Sequence, residues 1–560
     1  MRRRVTKPFN SIVTMGALLL GSLPLFAQSK SSPEPIVRHA VSFDVSAPLR
    51  DLAKRPVQHQ NDFQRDPRLR QVPRRTAGST VGAMEQRTAA DGSNFTIGIN
   101  VAGIGMGFPN FTSDTTFPDA NIAVGDTQIV QVVNASGAVF DKTTGAALTP
   151  AMPISSLWSR GDCSTNNSGH VIVQWDKAAH RWLIAQNVLD NYSGPYSACI
   201  AISTSADATG AYYLYEFPFA NGGYPDLQKW GVWTNSYFQS NDNFGPNGNT
   251  YIGAEPCAYD RTKMLAGDHS AMQVCFQLSN QDFALLPGDI DSAVPPPANQ
   301  DEFLFSLAGD SSLALYSVNI DWSNPNGATI TGSGQSQLFS IPPFIPACNG
   351  QYLGYCVPQQ GSDNDLEVLG DRLLYRVVYY DDPPLISVLA TPPKPLPSQH
   401  WLVLHDVTVQ TAGPGPTPQA ERWYEFKARQ TRSIVTDITL FQSGTYAPGD
   451  SNSRWMGSIA RDKNSNIMMG YSESGPNMYP SIAITGRVLS DPLGQMEDEQ
   501  IVFNGTAPQT DPGSRWGNYT SMRLDPDGCT LWYTSEYYLT PVDLDWSTQI
   551  SSATFAGCQP

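Results

Sequence analysis

The tripeptide Ser-Arg-Trp occurs twice, at 453–455 and 514–516, 61 residues apart, and each copy opens the same series of segments. An alternating stretch comes first, then an acidic turn, then a second alternating stretch ending in Tyr-Ser or Tyr-Thr. In the first copy Arg461-Asp462-Lys463-Asn464 leads to Tyr471-Ser472, and in the second Asp525-Pro526-Asp527-Gly528 leads to Tyr533-Thr534. Related units run from Gln174-Trp175-Asp176-Lys177 to Arg181-Trp182 and from Leu369-Gly370-Asp371-Arg372 to Tyr379, and looser ones begin near Asp119, Lys229 and Phe303. A unit of about four strands cannot bury both faces of its sheet alone, and radial stacking solves that problem. The expected fold is therefore all-β, a β-propeller with units opening near 119, 170, 225, 303, 365, 453 and 514. That makes seven blades, or six if the weak unit near 303 belongs to its neighbour. A large β-sandwich or a β-helix is the competing architecture. Phe95–Gly107 is expected to close the last blade, and the one helical signal is a turn or two at Asp260–Leu265.

Composition agrees with short strands and many turns. Gly and Pro number 46 and 44, aromatics reach 10%, and charged residues only 15%. At the N-terminus, Arg2, Arg3, Arg4 and Lys7 precede an apolar run from Met15 to Phe26 and a small-residue exit at Ala27-Gln28. This reads as a secretory signal over 1–27, with an apolar stretch too short for a permanent anchor. An exported protein meets an oxidising compartment, extracellular or periplasmic, where an even cysteine count reads as cross-links. The eight cysteines fall as sequence neighbours, Cys163/Cys199, Cys257/Cys275, Cys348/Cys356 and Cys529/Cys558, and local contacts within blades favour that pairing.

Residues 28–91 read as a flexible, basic, Pro-rich arm or pro-segment, with easy proteolysis at Arg74-Arg75. Only His39–Leu49 alternates well enough for a strand. The propeller domain then covers 92–560. Charge divides the same way: residues 28–90 hold 11 Lys/Arg against 6 Asp/Glu, while residues 91–560 hold 20 against 45, a net of −25. That field repels phosphate backbones and excludes nucleic acid as a partner of the main domain.

The strings Ser-Arg-Trp-Gly-Asn-Tyr-Thr-Ser-Met (514–522), Asp-Pro-Asp-Gly-Cys-Thr-Leu-Trp-Tyr-Thr-Ser-Glu-Tyr (525–537), Cys199–Thr204 and Ala258-Tyr259-Asp260-Arg261 resemble a group of bacterial secreted proteins of uncharacterised function. The resemblance covers roughly 95–558 and extends, at the level of fold, to the sialidase-type (Asp-box) propellers. Members tend to carry Asp after Trp-Gly, where this chain has Asn518. The acidic box is approximated by Asp525–Trp532 and implies a turn device and a fold, with no activity attached.

Two carboxyls, Glu473 and Glu536, stand at equivalent points just past the second strand of the two strong repeats. As an acid–base pair they would suit glycosidic hydrolysis; as solvated loop residues they would do nothing. Arg454, Trp455, Arg515, Trp516 and Tyr519 supply planar donor forks, stacking surfaces and a hydroxyl for a sugar, or else the cement between blades. Gly470–Gly475 lacks the spacing of a nucleophile elbow. No His-Glu-x-x-His occurs, and His400 and His405, five apart in a strand, face opposite ways, so no metal centre is expected. The sequence asks for no cofactor. Structural calcium at Asp525-x-Asp527-Gly528 or Asp363-x-Asp365 is the one metal it admits, and ordinary Asx-turns explain both runs. Two function classes stay open: an exported protein that binds or acts on extracellular carbohydrate, its enzymatic form a glycosidase-type hydrolase, or a non-catalytic surface or adhesion propeller that binds protein.

Overall fold

A computed structural model describes residues 33–55, 85–86, 92–189, 194–219, 223–245, 250–297, 300–332, 338–350, 354–387, 394–410, 417–431 and 434–559. Seven strands set its frame: β1 (Asn121–Val124), β2 (Ile172–Asp176), β3 (Tyr224–Val232), β4 (Leu286–Ile290), β5 (Val377–Ser387), β6 (Ser453–Arg461) and β7 (Ser521–Leu524). Each opens an antiparallel run of strands. Around the molecule β1 lies beside β2, β2 beside β3, β3 beside β4, β5 beside β6, β6 beside β7, and β7 beside β1. Between β4 and β5 the contact is a parallel ladder, with Gly288 opposite Val377, so two runs fuse into one 11-stranded sheet among the described residues. Every residue of β1, β2, β6 and β7 is buried. Strands covered on both faces have no solvent side, so the polar residues within them, such as Arg454 and Arg523, find their partners inside. The result is a propeller-like, all-β arrangement of sheets.

Several expectations from the sequence hold. Phe95–Ala102 pairs with Trp546–Phe555 as the outermost strand of the sheet begun by β7, with Phe95 opposite Phe555. The helical turn spans Arg261–Leu265, and Asp260 caps it by accepting from the Lys263 amide at 3.1 Å. All four neighbour disulfides are present, Cys163–Cys199, Cys257–Cys275, Cys348–Cys356 and Cys529–Cys558. Two unit openings shift: the strand that begins the fourth run lies at 286 rather than near 303, and the fifth at 377 rather than near 365.

The flexible-arm reading is corrected for residues 36–53. Ile36–His39 pairs with Met272–Cys275, and Ser42–Val45 pairs with Tyr212–Pro218, each as the outer strand of a five-stranded sheet. A helical turn at Leu49–Leu52 then buries Leu49, Leu52 and Ala53. Prolines do not prevent this, because an outer edge offers unpaired N–H and C=O groups that a short extended segment can satisfy. Glu85–Gln86 similarly pairs with Ile434–Tyr446. The signal read over 1–27 and the Arg74-Arg75 pair lie outside the described residues. Among the described residues no helix is long and apolar enough to cross a membrane.

Candidate functional site

Because β1 to β7 lie side by side, the residues just ahead of them gather at one mouth of the ring, the starting mouth. Left-handed backbone recurs there: Asp119 (φ 47°), His170 (φ 49°), Ala284 (φ 48°) and Ser514 (φ 51°) come ahead of β1, β2, β4 and β7, and Leu227 (φ 53°) sits at the register shift inside β3. Left-handed non-glycine residues carry strain that the surrounding packing must hold, and such residues concentrate at functional sites.

Asp119 is the centre of this mouth. Its Oδ1 accepts from the Asn518 amide at 2.7 Å and from Asn518 Nδ2 at 3.0 Å, while Oδ2 lies 2.6 Å from His170 Nδ1. Burial works to raise its pKa, but the His170 hydrogen bond and charge, the Asn518 amide and Lys229 outweigh it and hold the carboxyl below the usual range. This gives the departure at Asn518 a physical meaning. An Asp there would set a second carboxylate against Asp119, whereas the Asn amide donates to it. On its far side the imidazole Nε2 lies 3.7 Å from Asp226 Oδ1, and the His170 side chain is 18% exposed, so this ring reaches the surface where Asp119 does not.

Glu536 sits one amide away. Its Oε1 accepts from the Gly517 N–H at 2.5 Å, and Oε2 has no partner. Gly517 is required here, since a Cβ would stand 2.7 Å from the carboxylate oxygen. Burial pushes the Glu536 pKa well above its ordinary value against the Gly517 amide, and the negative neighbours Asp119 and Glu367 push it further. Glu367, also raised by burial, is bonded through Oε2 to Arg515 Nε and the Trp516 amide, with Oε1 unpartnered. Successive backbone amides thus meet one carboxyl whose pKa is pushed up and one whose pKa is held down. Opposed pKa values at neighbouring sites are the arrangement that acid–base chemistry uses.

Lys229 completes the mouth. Its Nζ lies 4.1 Å from the Tyr519 ring centroid and has no hydrogen-bond partner. Burial pushes its pKa down to about 7, against the pull of Asp119 and with the help of Arg372. Below this mouth the axis is closed by a buried network: Arg523 donates to Asp289 at 2.5 Å, to Gln174 at 2.8 Å and to the Tyr375 hydroxyl at 2.8 Å, and Arg376 pairs with Asp289 and Asp291.

The sequence candidates divide. Arg515, Tyr519 and Glu536 come to the mouth with Asp119 and Lys229, while the Trp516 indole packs on Trp455 and donates to Ser472. Arg454 and Glu473 lie in a second cluster, where the guanidinium is clasped by Asp450 at 2.8 Å, Glu473 at 3.0 Å and Glu499 at 2.8 Å. The three carboxylates are close enough to hold a cation, and Arg454 already fills that role. Burial raises the Glu473 pKa, Arg454 opposes, and Glu499 reinforces. The two glutamates point apart: Ser472 and Ser535 Oγ meet at 3.3 Å, and the following residue in each strand faces the other side of its sheet. Trp455 and Trp516 are fully buried, with ring centroids 5.5 Å apart. At the acidic runs, Asp527 is spent on the amides of Cys529 and Thr530, and Asp525 on Lys142, the Asp527 amide and the Trp532 indole, the bonding of a turn.

Asp119, His170, Asp226, Lys229, Glu367 and Arg372 were not among the sequence candidates. They are single charged residues scattered over some 250 positions, and only the units read near Asp119, Lys229 and Leu369–Arg372 pointed toward any of them.

No protein-family model matches the chain, and no curated protein sequence matches it. Among solved structures it is distantly similar to the α-L-arabinofuranosidase of Fusarium graminearum (TM-score 0.33, 8% identity, covering 81% of this chain and 97% of that one). It is also similar to the phage phi92 endosialidase (TM-score 0.31, 9% identity, 82% and 70%) and to the extracellular domains 1–2 of Drosophila semaphorin 1b (TM-score 0.29, 8% identity, 82% and 87%).

Proposed function

We propose that this is an exported, seven-bladed β-propeller that binds extracellular carbohydrate at its starting mouth and cleaves it by acid–base hydrolysis of a glycosidic bond. The observation that supports this most directly is that two carboxyls sit on the consecutive amides of Gly517 and Asn518, Glu536 with its pKa pushed up by burial and Asp119 with its pKa held down by His170 and the Asn518 amide. In this reading Glu536 supplies the proton to the leaving oxygen through its unpartnered Oε2. Asp119 fixes the orientation of His170, whose Nε2, in the neutral ring, takes a proton from the attacking water. Arg515 holds Glu367, and Tyr519 and Lys229 line the floor. Glu473, facing away, is assigned to the Arg454 cluster, and the disulfides suit an extracellular or periplasmic setting. The closed axis and the near-complete burial of Glu536 favour the second reading, a non-catalytic propeller that binds a protein partner.

A glycan array and a chromogenic-glycoside panel on the purified protein separate the two. Glycan binding together with turnover of at least one glycoside supports the proposal. Silence on both, with a protein partner bound, overturns it.

A further inference from the structure

At the opposite mouth, where the seven strands end, lies a cavity of about 660 Å³. Its wall comes from residues at or just past the ends of β2, β3, β4 and β7, with Tyr380 of β5 and Lys463 after β6. That volume falls within the ~300–1,000 Å³ typical of small-ligand sites. Val232, Ile290, Leu524 and Pro526 give it an apolar side, and Asp176, Lys177, Arg261, Asp291, Lys463, Asp525 and Asp527 bring charge to it.

The hydrogen-bond inventory of those charges is one-sided. Asp176 is consumed by Arg261 (2.6 and 2.8 Å), by the Tyr237 hydroxyl (2.8 Å) and by the Ala179 amide (3.0 Å). Asp525 and Asp527 are spent on their own turn and on Lys142, and Asp291 on Arg376 and Lys177. The acceptors of the cavity are therefore committed. Its donors are not. Lys463 Nζ makes a single bond, to the Asp527 carbonyl at 3.1 Å, and an ammonium group has three hydrogens to give. Lys177 Nζ donates to the Asp291 carbonyl at 2.8 Å with its carboxylate at 3.5 Å, and the Tyr380 and Thr234 hydroxyls have no partner among the described residues. Burial lowers the Lys177 pKa against the pull of Asp291, so a further anion beside it restores stabilisation that water no longer supplies.

We propose that this far-mouth cavity binds a carboxylate-bearing sugar of about disaccharide size, its carboxylate between Lys463 and Lys177, its hydroxyls toward Tyr380 and Thr234, and its ring faces on the apolar side. Charge-assisted hydrogen bonds to two ammonium groups are the strong contacts such a ligand gains. The buried network of Arg523, Arg376, Asp289 and Tyr375 separates this cavity from the starting mouth, so binding here is independent of any turnover there.

Isothermal titration of the full protein with digalacturonate, and with the uncharged galactobiose as control, tests the assignment. The expected result is saturable binding of digalacturonate, about tenfold or more weaker binding of galactobiose, and a similar loss in Lys463→Met, whose exposed side chain leaves the melting temperature unchanged. Glu536→Gln, at the other mouth, should bind digalacturonate like the native protein. Absence of binding, equal binding of the two sugars, or indifference to Lys463→Met overturns the proposal. Tighter binding of an acetylated tripeptide acid than of digalacturonate overturns the sugar as its ligand.

Discussion

Replacing Trp516 by alanine measures how the repeats are joined. The indole is fully buried, its ring centroid 5.5 Å from Trp455 and 6.0 Å from Tyr538, and its Nε1 donates to Ser472 Oγ at 3.0 Å. A buried Trp side chain removes roughly 200–250 Å² from water, which at ~25 cal/mol/Å² is about 5–6 kcal/mol as an upper bound. Alanine keeps part of that burial and the neighbours relax partly into the gap, so the expected loss is about 3–5 kcal/mol. Trp516→Phe keeps most of the ring contact and should lose less than half as much. Ser472→Ala removes the indole's acceptor together with the contact to Ser535 Oγ and should cost about 1–3 kcal/mol. Urea unfolding of the oxidised protein, followed by far-UV circular dichroism, gives all three in one series. A Trp516→Ala transition within about 1 kcal/mol of the native protein would mean that the repeated Arg-Trp units do not cement adjacent sheets.

Asp406 and Glu421 lie directly opposite each other, both buried, and burial pushes both pKa values up, Glu421 further because of its negative neighbour. Folded pKa values above the unfolded ones mean that their stabilising contribution is full below the ordinary carboxylate range and is lost as pH rises toward the folded values. Melting temperature should therefore fall from pH 5 to pH 9, and Glu421→Gln should flatten that fall; an unchanged slope would contradict the raised pKa values of this pair. Leu52→Ala, in the turn that holds the N-terminal segment against the sheets, should cost about 2–5 kcal/mol by the same unfolding assay. A neutral result there would return residues 36–53 to the status of a dispensable arm.

Much of the architecture was legible because repeats and cysteines carry local information. The two Ser-Arg-Trp units announced β6 and β7, the disulfides joined sequence neighbours, and the need of a ring to join its ends pointed to the strand after Phe95. β4 was not legible: Leu286-Pro-Gly-Asp-Ile places Pro and Gly inside a strand, the opposite of a strand signature, and its parallel ladder to β5 is a contact over some 90 residues. The segment 36–53 was hidden for a related reason, since its strands depend on edges formed by residues 212–218 and 272–275. The site was half legible. Arg515, Trp516 and Glu536 stood out by repetition, but repetition also marked Arg454 and Glu473, which pair with each other in a separate cluster. Asp119, His170 and Lys229 become neighbours only when the ends of separate sheets converge, and no spacing along the chain encodes that.

The central claim is that the starting mouth works on a glycosidic bond through Glu536 and the Asp119–His170 pair. Initial rates on the best glycoside of the panel, for the native protein, Glu536→Gln and His170→Ala at matched melting temperature, test it most directly. The account predicts that Glu536→Gln, close in shape and removing only the acidic proton, loses at least about a hundredfold in kcat while still binding the glycan, and that His170→Ala does likewise. Turnover at native rates in both variants would contradict it.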